Sequence, residues 1–149
     1  MRRPVAWLAA ALLLAGCTLP AAAQEDTSWA RTQRYRAGEL FRNKDYAGAL
    51  PLYQQAHDIY ARAQGESSPE AIDTLIDVAN TLDRLHRPAE AVPARARIVA
   101  LQTEKRGERD ERTIDALAAL GSEQFQASQF PEAVATAERA LALSTAVRG

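Results

Sequence analysis

Lys44-Asp45-Tyr46-Ala47-Gly48-Ala49, His86-Arg87-Pro88-Ala89-Glu90-Ala91 and Ser128-Gln129-Phe130-Pro131-Glu132-Ala133 are three versions of one block, spaced by 42 residues. The same offset superimposes Ala37, Ala79 and Gly121, then Ala49, Ala91 and Ala133, then Ala56, Ile98 and Ala140. It also aligns Ile59 with Leu101 and Leu143, and Gly65 with Gly107 and Gly149. A phase kept through separate columns marks a repeat array, in which each unit buries its apolar face against its neighbours.

Working outward from the blocks, each unit reads as two helices. In the middle unit Ser68 is placed to cap a helix, Pro69 fits its first position and Glu70 complements the dipole of its first turn. Ile72, Leu75, Val78, Ala79, Leu82 and Leu85 then recur at steps of three and four, which predicts one buried face. Pro88 disfavours helical geometry at Arg87, so His86-Arg87-Pro88 is a break, and a second helix runs to about Arg106 with Gly107 as its stop. The third unit repeats the plan from Asp110, with a break near Ser128. The first starts near Ser28 and turns at Asn43-Lys44-Asp45. The expected units are therefore 29–65, 69–107 and 110–149, joined by short loops.

Composition agrees with helices and removes several function classes. The chain has 149 residues, 47% hydrophobic but only 6% aromatic, and many alanines, which suits closely approaching helices better than a sheet. Its 18 basic residues against 19 acidic ones exclude nucleic-acid binding through bulk positive charge. One cysteine and two histidines cannot build a disulfide framework or a common zinc cage, so no metal and no cofactor are expected.

Residues 1–23 read as an export signal: Met1-Arg2-Arg3-Pro4, an apolar run from Val5 to Gly16, then small residues. The run is shorter than the ~20 residues that span a bilayer. Two cleavage readings are open. Leu14-Ala15-Gly16-Cys17 resembles the bacterial lipobox, which would leave Cys17 lipidated at the new N-terminus, whereas Ala21-Ala22-Ala23 is a site for ordinary signal peptidase after residue 23. In the first reading acyl chains anchor the protein, with residues 24–28 as part of a short linker. In the second, Cys17 is a small apolar residue of a discarded peptide. Thr18 lacks the aspartate of an inner-membrane retention signal, so the periplasmic face of the outer membrane is the expected location, with membrane contact only through the lipid.

Small residues at Ala37, Ala79 and Gly121, followed twelve positions later by Ala49, Ala91 and Ala133 and then by Ala56 and Ala140, resemble the tetratricopeptide repeat. The 42-residue period and the run from Tyr46 to Ala56 are similar to its kinesin-light-chain type, which has an elongated second helix. Arg95 and Ala137 depart from that pattern in the column of Tyr53, and Gln124 stands where an aromatic or Leu is usual. The resemblance implies an all-α fold, a right-handed superhelical stack of three helix-turn-helix repeats, whose concave face is lined by the first helix of each unit. It implies binding of a protein or peptide there. The inward columns carried over give Arg34, Asp73, Asp77, Asn80, Arg84 and Ser122 as candidate peptide-binding residues, with a basic end at Arg31, Arg34 and Arg42. Asn80 resembles the family's clamp on a ligand's backbone amide, using one donor and one acceptor; solvated polar and charged helix faces are the plain alternative.

No nucleophile elbow, phosphate loop or His/Glu metal spacing is found, so no catalytic residue is expected. His86 falls where a helix ends, where a partly protonated imidazole suits the dipole. The expectation is an exported, non-enzymatic adaptor at the cell envelope. Two alternatives stand beside it: a self-associating scaffold that uses an uncapped C-terminal face exposing Val134 and Leu141, and accessory repeats of a larger envelope enzyme.

Overall fold

The computed structural model describes residues 21–149, and the side chains from Thr27 onward. The export signal, the lipobox and Cys17 lie outside the described residues. Six helices follow one another: α1 (Ala21–Arg42), α2 (Tyr46–Gln64), α3 (Pro69–Arg84), α4 (Pro88–Arg106), α5 (Glu111–Gln126) and α6 (Phe130–Arg148). The main contacts are between consecutive helices, which makes an all-α stack of three helix pairs. The second helix of every unit has 19 residues, and α3 and α5 have 16.

The breaks fall where the sequence puts them. Ser68 Oγ accepts from the Ala71 amide at 3.3 Å, with Pro69 opening α3. Asp45 accepts from Gly48 N at 2.9 Å and Asp110 from Arg112 N at 3.0 Å, so three of the helix starts have a side-chain cap. Gly65 and Gly107 close α2 and α4 at φ 90, with ψ near the extended range, a backbone region open essentially to glycine alone.

Two local features differ from the sequence reading. Unit 1 is already helical at the first described residue, Ala21, so 24–28 is part of α1 and not a linker. Ala21 to Asp26 contains no Gly or Pro, and alanine is the strongest helix former, so nothing delays the start to Ser28. The turn within each unit holds a non-glycine residue in the left-handed region: Lys44 at φ 65, His86 at φ 55 and Ser128 at φ 62. They share one column. His86 is thus a backbone pivot after α3.

The core runs through the stack. Ala37, Ala49, Ala79 and Ala91 are fully buried where paired helices cross, and Leu101 is 1% exposed. Leu50 and Tyr53 of α2 pack on Val78 and Leu82 of α3, and Val99 of α4 packs with Leu117 and Leu120 of α5. Phe41 meets Tyr46 edge to face across the first turn, at 5.0 Å between centroids, and Phe125 meets Phe130 in the same columns at 5.4 Å.

A left-handed residue costs about 1–2 kcal/mol unless it is glycine, which partly offsets the gain through its freer unfolded chain. His86→Gly and Ser128→Gly are each expected to raise unfolding free energy by about 0.5–1 kcal/mol in urea titrations followed by circular dichroism. Ala79→Leu, which puts a branched side chain into the helix crossing, is expected to cost about 1–3 kcal/mol.

Candidate functional site: the groove of first helices

The first helices of consecutive units lie side by side. Arg34 Nε donates to Asp77 Oδ2 at 2.7 Å between α1 and α3, and Gln126 Nε2 donates to Asp83 Oδ1 at 3.2 Å between α5 and α3. Between these helices lie two concave spaces. One, of about 380 Å³, is bordered by Arg31, Arg34, Tyr35, Arg42, Tyr53 and Asp77. The other, of about 410 Å³, has Asp73 and Ile76 on one wall, Asp115, Ala116 and Ala119 on the other, and Ile98 and Gln102 of α4 in its floor.

The candidate residues separate into engaged and free groups. Arg34 and Asp77 hold each other. Burial pushes the Asp77 carboxyl above its ordinary range even though the Arg34 guanidinium beside it pulls the other way. For Arg34, burial alone would lower the pKa, but the hydrogen bond and field of Asp77 raise it, so its charge is kept. Tyr53 under this pair is pushed up by burial and by the Asp77 charge. The geometry is decisive here: at 2.7 Å the pair is closed as an ion pair. Asn80 Oδ1 accepts from Arg95 Nη2 at 2.9 Å, so the acceptor half of the expected amide clamp already has a partner inside the fold. Asp73, Arg84, Asp115 and Ser122 are exposed, and their side chains have no ion pair or hydrogen bond among the described residues.

Arg95 was legible only as a departure from the aromatic column. In the fold it joins three helices, reaching Asn80 on α3 and Glu123 Oε2 on α5 at 3.8 Å. Glu123 is 2% exposed, and its Oε1 has no hydrogen-bond partner among the described residues. Burial raises the Glu123 pKa, the Asp83 charge adds to that, and Arg95 opposes both. The sequence did hold the signal: relative to unit 1 and unit 2, a cation replaces Tyr53 and an anion replaces Thr81 in facing columns of one interface.

Rim pairs add a second repeated tie. Arg97 pairs with Glu66, and Arg139 with Glu108, one period later. Lys105 Nζ donates to the Ser67 carbonyl at 3.0 Å. Among the described residues no group of three or more His, Cys, Asp or Glu is placed to hold a metal ion, and no helix is long and apolar enough to cross a membrane.

This arrangement defines a class: a superhelical helix-pair stack with a groove of first helices. The tetratricopeptide-repeat family model matches residues 30–94. Among solved structures the chain is similar to BtubC (BKLC) from P. vanneervenii, at 20% identity and a TM-score of 0.69, covering 76% of this chain and 45% of that one. It is also similar to a single-residue variant of the nearly identical TPR-like repeats of a Podosopora anserina kinesin-light-chain-like protein, at 19% identity and a TM-score of 0.71, covering 81% of this chain and 57% of that one. A further structure of those repeats gives 21% identity, a TM-score of 0.67, and coverage of 80% and 56%. The chain therefore spans about half the length of these solved chains. No curated protein matches it by sequence. The family model thus covers the first unit and the opening part of the second, and the stack as a whole has the fold of these kinesin-light-chain-like repeat structures, whose concave surface suits protein–protein contact.

Removing one partner of a buried ion pair costs about 3–5 kcal/mol, while replacing both by apolar residues is often neutral. Arg95→Leu is expected to cost about 3 kcal/mol in urea unfolding, and Arg95→Leu/Glu123→Leu to recover most of it. The pH dependence has a definite sign. Glu123 binds its proton more tightly folded than unfolded, so its contribution to stability falls as pH rises through the window above about 4.3. In Arg95→Leu that decline is expected to steepen, because the opposing cation is gone; pH-resolved urea titrations of both proteins check it.

Proposed function

We propose that this protein is an exported, non-enzymatic adaptor that holds an extended segment of a partner protein in the groove of α1, α3 and α5. The observation that carries the reading is the space between α3 and α5. Its mouth bears two unpaired carboxylates, Asp73 and Asp115, above an apolar floor and wall formed by Ile76, Ile98, Ala116 and Ala119. Arg112 stands on its rim, while the Arg95 charge is matched by Glu123. Such a site fits a lysine or arginine side chain, whose methylenes lie on apolar surface while its head meets the carboxylates. Ser122 and Arg84 extend the polar contact along the groove, and the spare Asn80 amide hydrogens remain available to a ligand carbonyl. The paired Arg34 and Asp77 would hold the first two units in register rather than touch ligand.

In this reading the protein works at the periplasmic face of the outer membrane, anchored through acylated Cys17, with its groove facing envelope proteins. It uses no cofactor and no nucleic acid.

Site-directed photo-crosslinking in the native envelope tests the groove. A probe at Ala119 on the groove wall is expected to give a discrete adduct with another protein, which a probe at the exposed Ala100 of α4 does not give and which Asp73→Lys/Asp115→Lys abolishes. Equal adducts at both positions, indifferent to that double change, would count against groove binding. For the anchor, Cys17→Ser is expected to move the protein from the membrane to the soluble fraction and to remove the acyl mass; unchanged partitioning and mass would refute lipidation.

A further inference from the structure

Unit 1 departs from the other two at the floor of the groove. Gly38, Asn80 and Ser122 share a column of the first helices, and Tyr53, Arg95 and Ala137 share a column of the second helices. In unit 2 the two columns close on each other, Arg95 donating to Asn80. In unit 3 the second helix brings only the Ala137 methyl. In unit 1 Gly38 has no side chain to meet Tyr53, and a methyl group placed on it would sit 3.7 Å from the Tyr53 hydroxyl. Tyr53 is 7% exposed and belongs to the apolar cluster of Leu50, Val78 and Leu82. Its hydroxyl nevertheless has no hydrogen-bond partner among the described residues, and it borders the space between α1 and α3 beside Gly38. A buried ring that ends in an unpartnered hydroxyl at the bottom of a concave space is placed to hold a ligand atom.

The charges around that hydroxyl decide which atom. Arg34 and Asp77 cancel across the space at 2.7 Å, and Arg42 is matched by Glu39. Arg31 is exposed on the same wall and has no ion pair among the described residues, so the lining carries one uncompensated positive charge. Asp73, one period after Arg31, opens instead on the space between α3 and α5. A hydroxyl donor and a spare guanidinium on one space match a carboxylate, which accepts from both. Tyr35, 68% exposed on the rim, offers an aromatic surface to the methylenes that lead to such a group.

We infer that the space between α1 and α3 is a seat for a carboxylate of the partner segment, held by the Tyr53 hydroxyl and the Arg31 guanidinium. The inference rests on the groove reading and adds a second determinant to it. The carboxylate seat and the basic-side-chain seat lie in successive spaces, one first helix apart. Packed helix axes are about 8–10 Å apart, and in a polyproline II segment side chains about three positions apart point the same way and lie about 9 Å apart. The groove therefore selects an acidic and a basic residue about three positions apart rather than a basic residue alone.

The test uses synthetic peptides blocked at both ends, with a glutamate and a lysine three positions apart in a proline- and alanine-rich background, in both orders. They are titrated against the full chain by fluorescence anisotropy. In one of the two orders, exchanging the glutamate for glutamine is expected to weaken binding about tenfold with the wild type and to have no effect with Tyr53→Phe/Arg31→Gln. Tyr53→Phe keeps the buried ring, and its circular-dichroism spectrum and urea unfolding are expected to match the wild type. Gly38→Leu, which covers the hydroxyl from the groove side, is expected to remove the glutamate effect by itself. A peptide that ends in a free α-carboxylate in place of the glutamate distinguishes a chain terminus from a side chain, and coupling of either to Tyr53 supports the seat. Binding that needs the lysine, Asp73 and Asp115 but ignores the glutamate would overturn the seat and leave the groove reading standing. A glutamate effect indifferent to Tyr53→Phe and Arg31→Gln would overturn it too. Glutamate coupling to Tyr53 without any lysine effect would support the seat and count against the basic one, and a failure of every peptide to bind would overturn both.

Discussion

The close crossing of the two helices within each unit is the constraint on which the rest of the stack depends. Ala37 and Ala49 meet in unit 1, Ala79 and Ala91 in unit 2, and Gly121 and Ala133 in unit 3. A methyl group placed on Gly121 would sit 3.5 Å from the Ala133 carbonyl oxygen and the Ala137 nitrogen, in ordinary contact. That spacing explains why alanine serves in the same column of the other two units and why larger side chains are missing from it. With backbones this close, the longer side chains are directed outward from the pair. On one side they build the interfaces between units; on the other they line the groove.

Most of this was legible because it is local and periodic. Pro88 breaks a helix wherever it is placed, Ser68 and Asp110 cap because their oxygens reach amides two or three residues on, and Gly107 ends α4 because its φ of 90 is closed to other residues. The left-handed pivots were harder to see. Lys44, His86 and Ser128 share a column but no chemistry, so only superposition of the turns exposes them. That α1 is helical ahead of Ser28 was hidden differently: an alanine triplet is equally a cleavage site and helix-forming sequence.

The candidate site was less legible than the fold, and the reason is distance along the chain. Arg34 and Asp77 are joined across units, as are Asp83 and Gln126, each pair lying one residue beyond a full period. Column logic placed Arg34 and Asp77 on the groove face but did not say that they would satisfy one another. Asn80 illustrates the cost of that gap. Its column suggested a ligand clamp, yet Arg95, displaced from the aromatic column, takes its carbonyl oxygen. The outcome shifts attention from the residues with the strongest hydrogen-bonding chemistry to Asp73 and Asp115, which the fold leaves unpaired. Electrostatics thus divides into two groups: closed pairs such as Arg34–Asp77 tie one unit to the next, and the exposed carboxylates of Asp73 and Asp115 have no such partner among the described residues.

The central claim, that the groove between α3 and α5 selects a basic side chain on an aliphatic stem, is tested most directly by selecting binders from an unbiased displayed peptide library on the full chain. Enriched sequences should share a lysine or arginine flanked by apolar residues and should lose binding to Asp73→Asn/Asp115→Asn. Enrichment of sequences without a basic residue, or binding that survives in the double variant, would contradict the account.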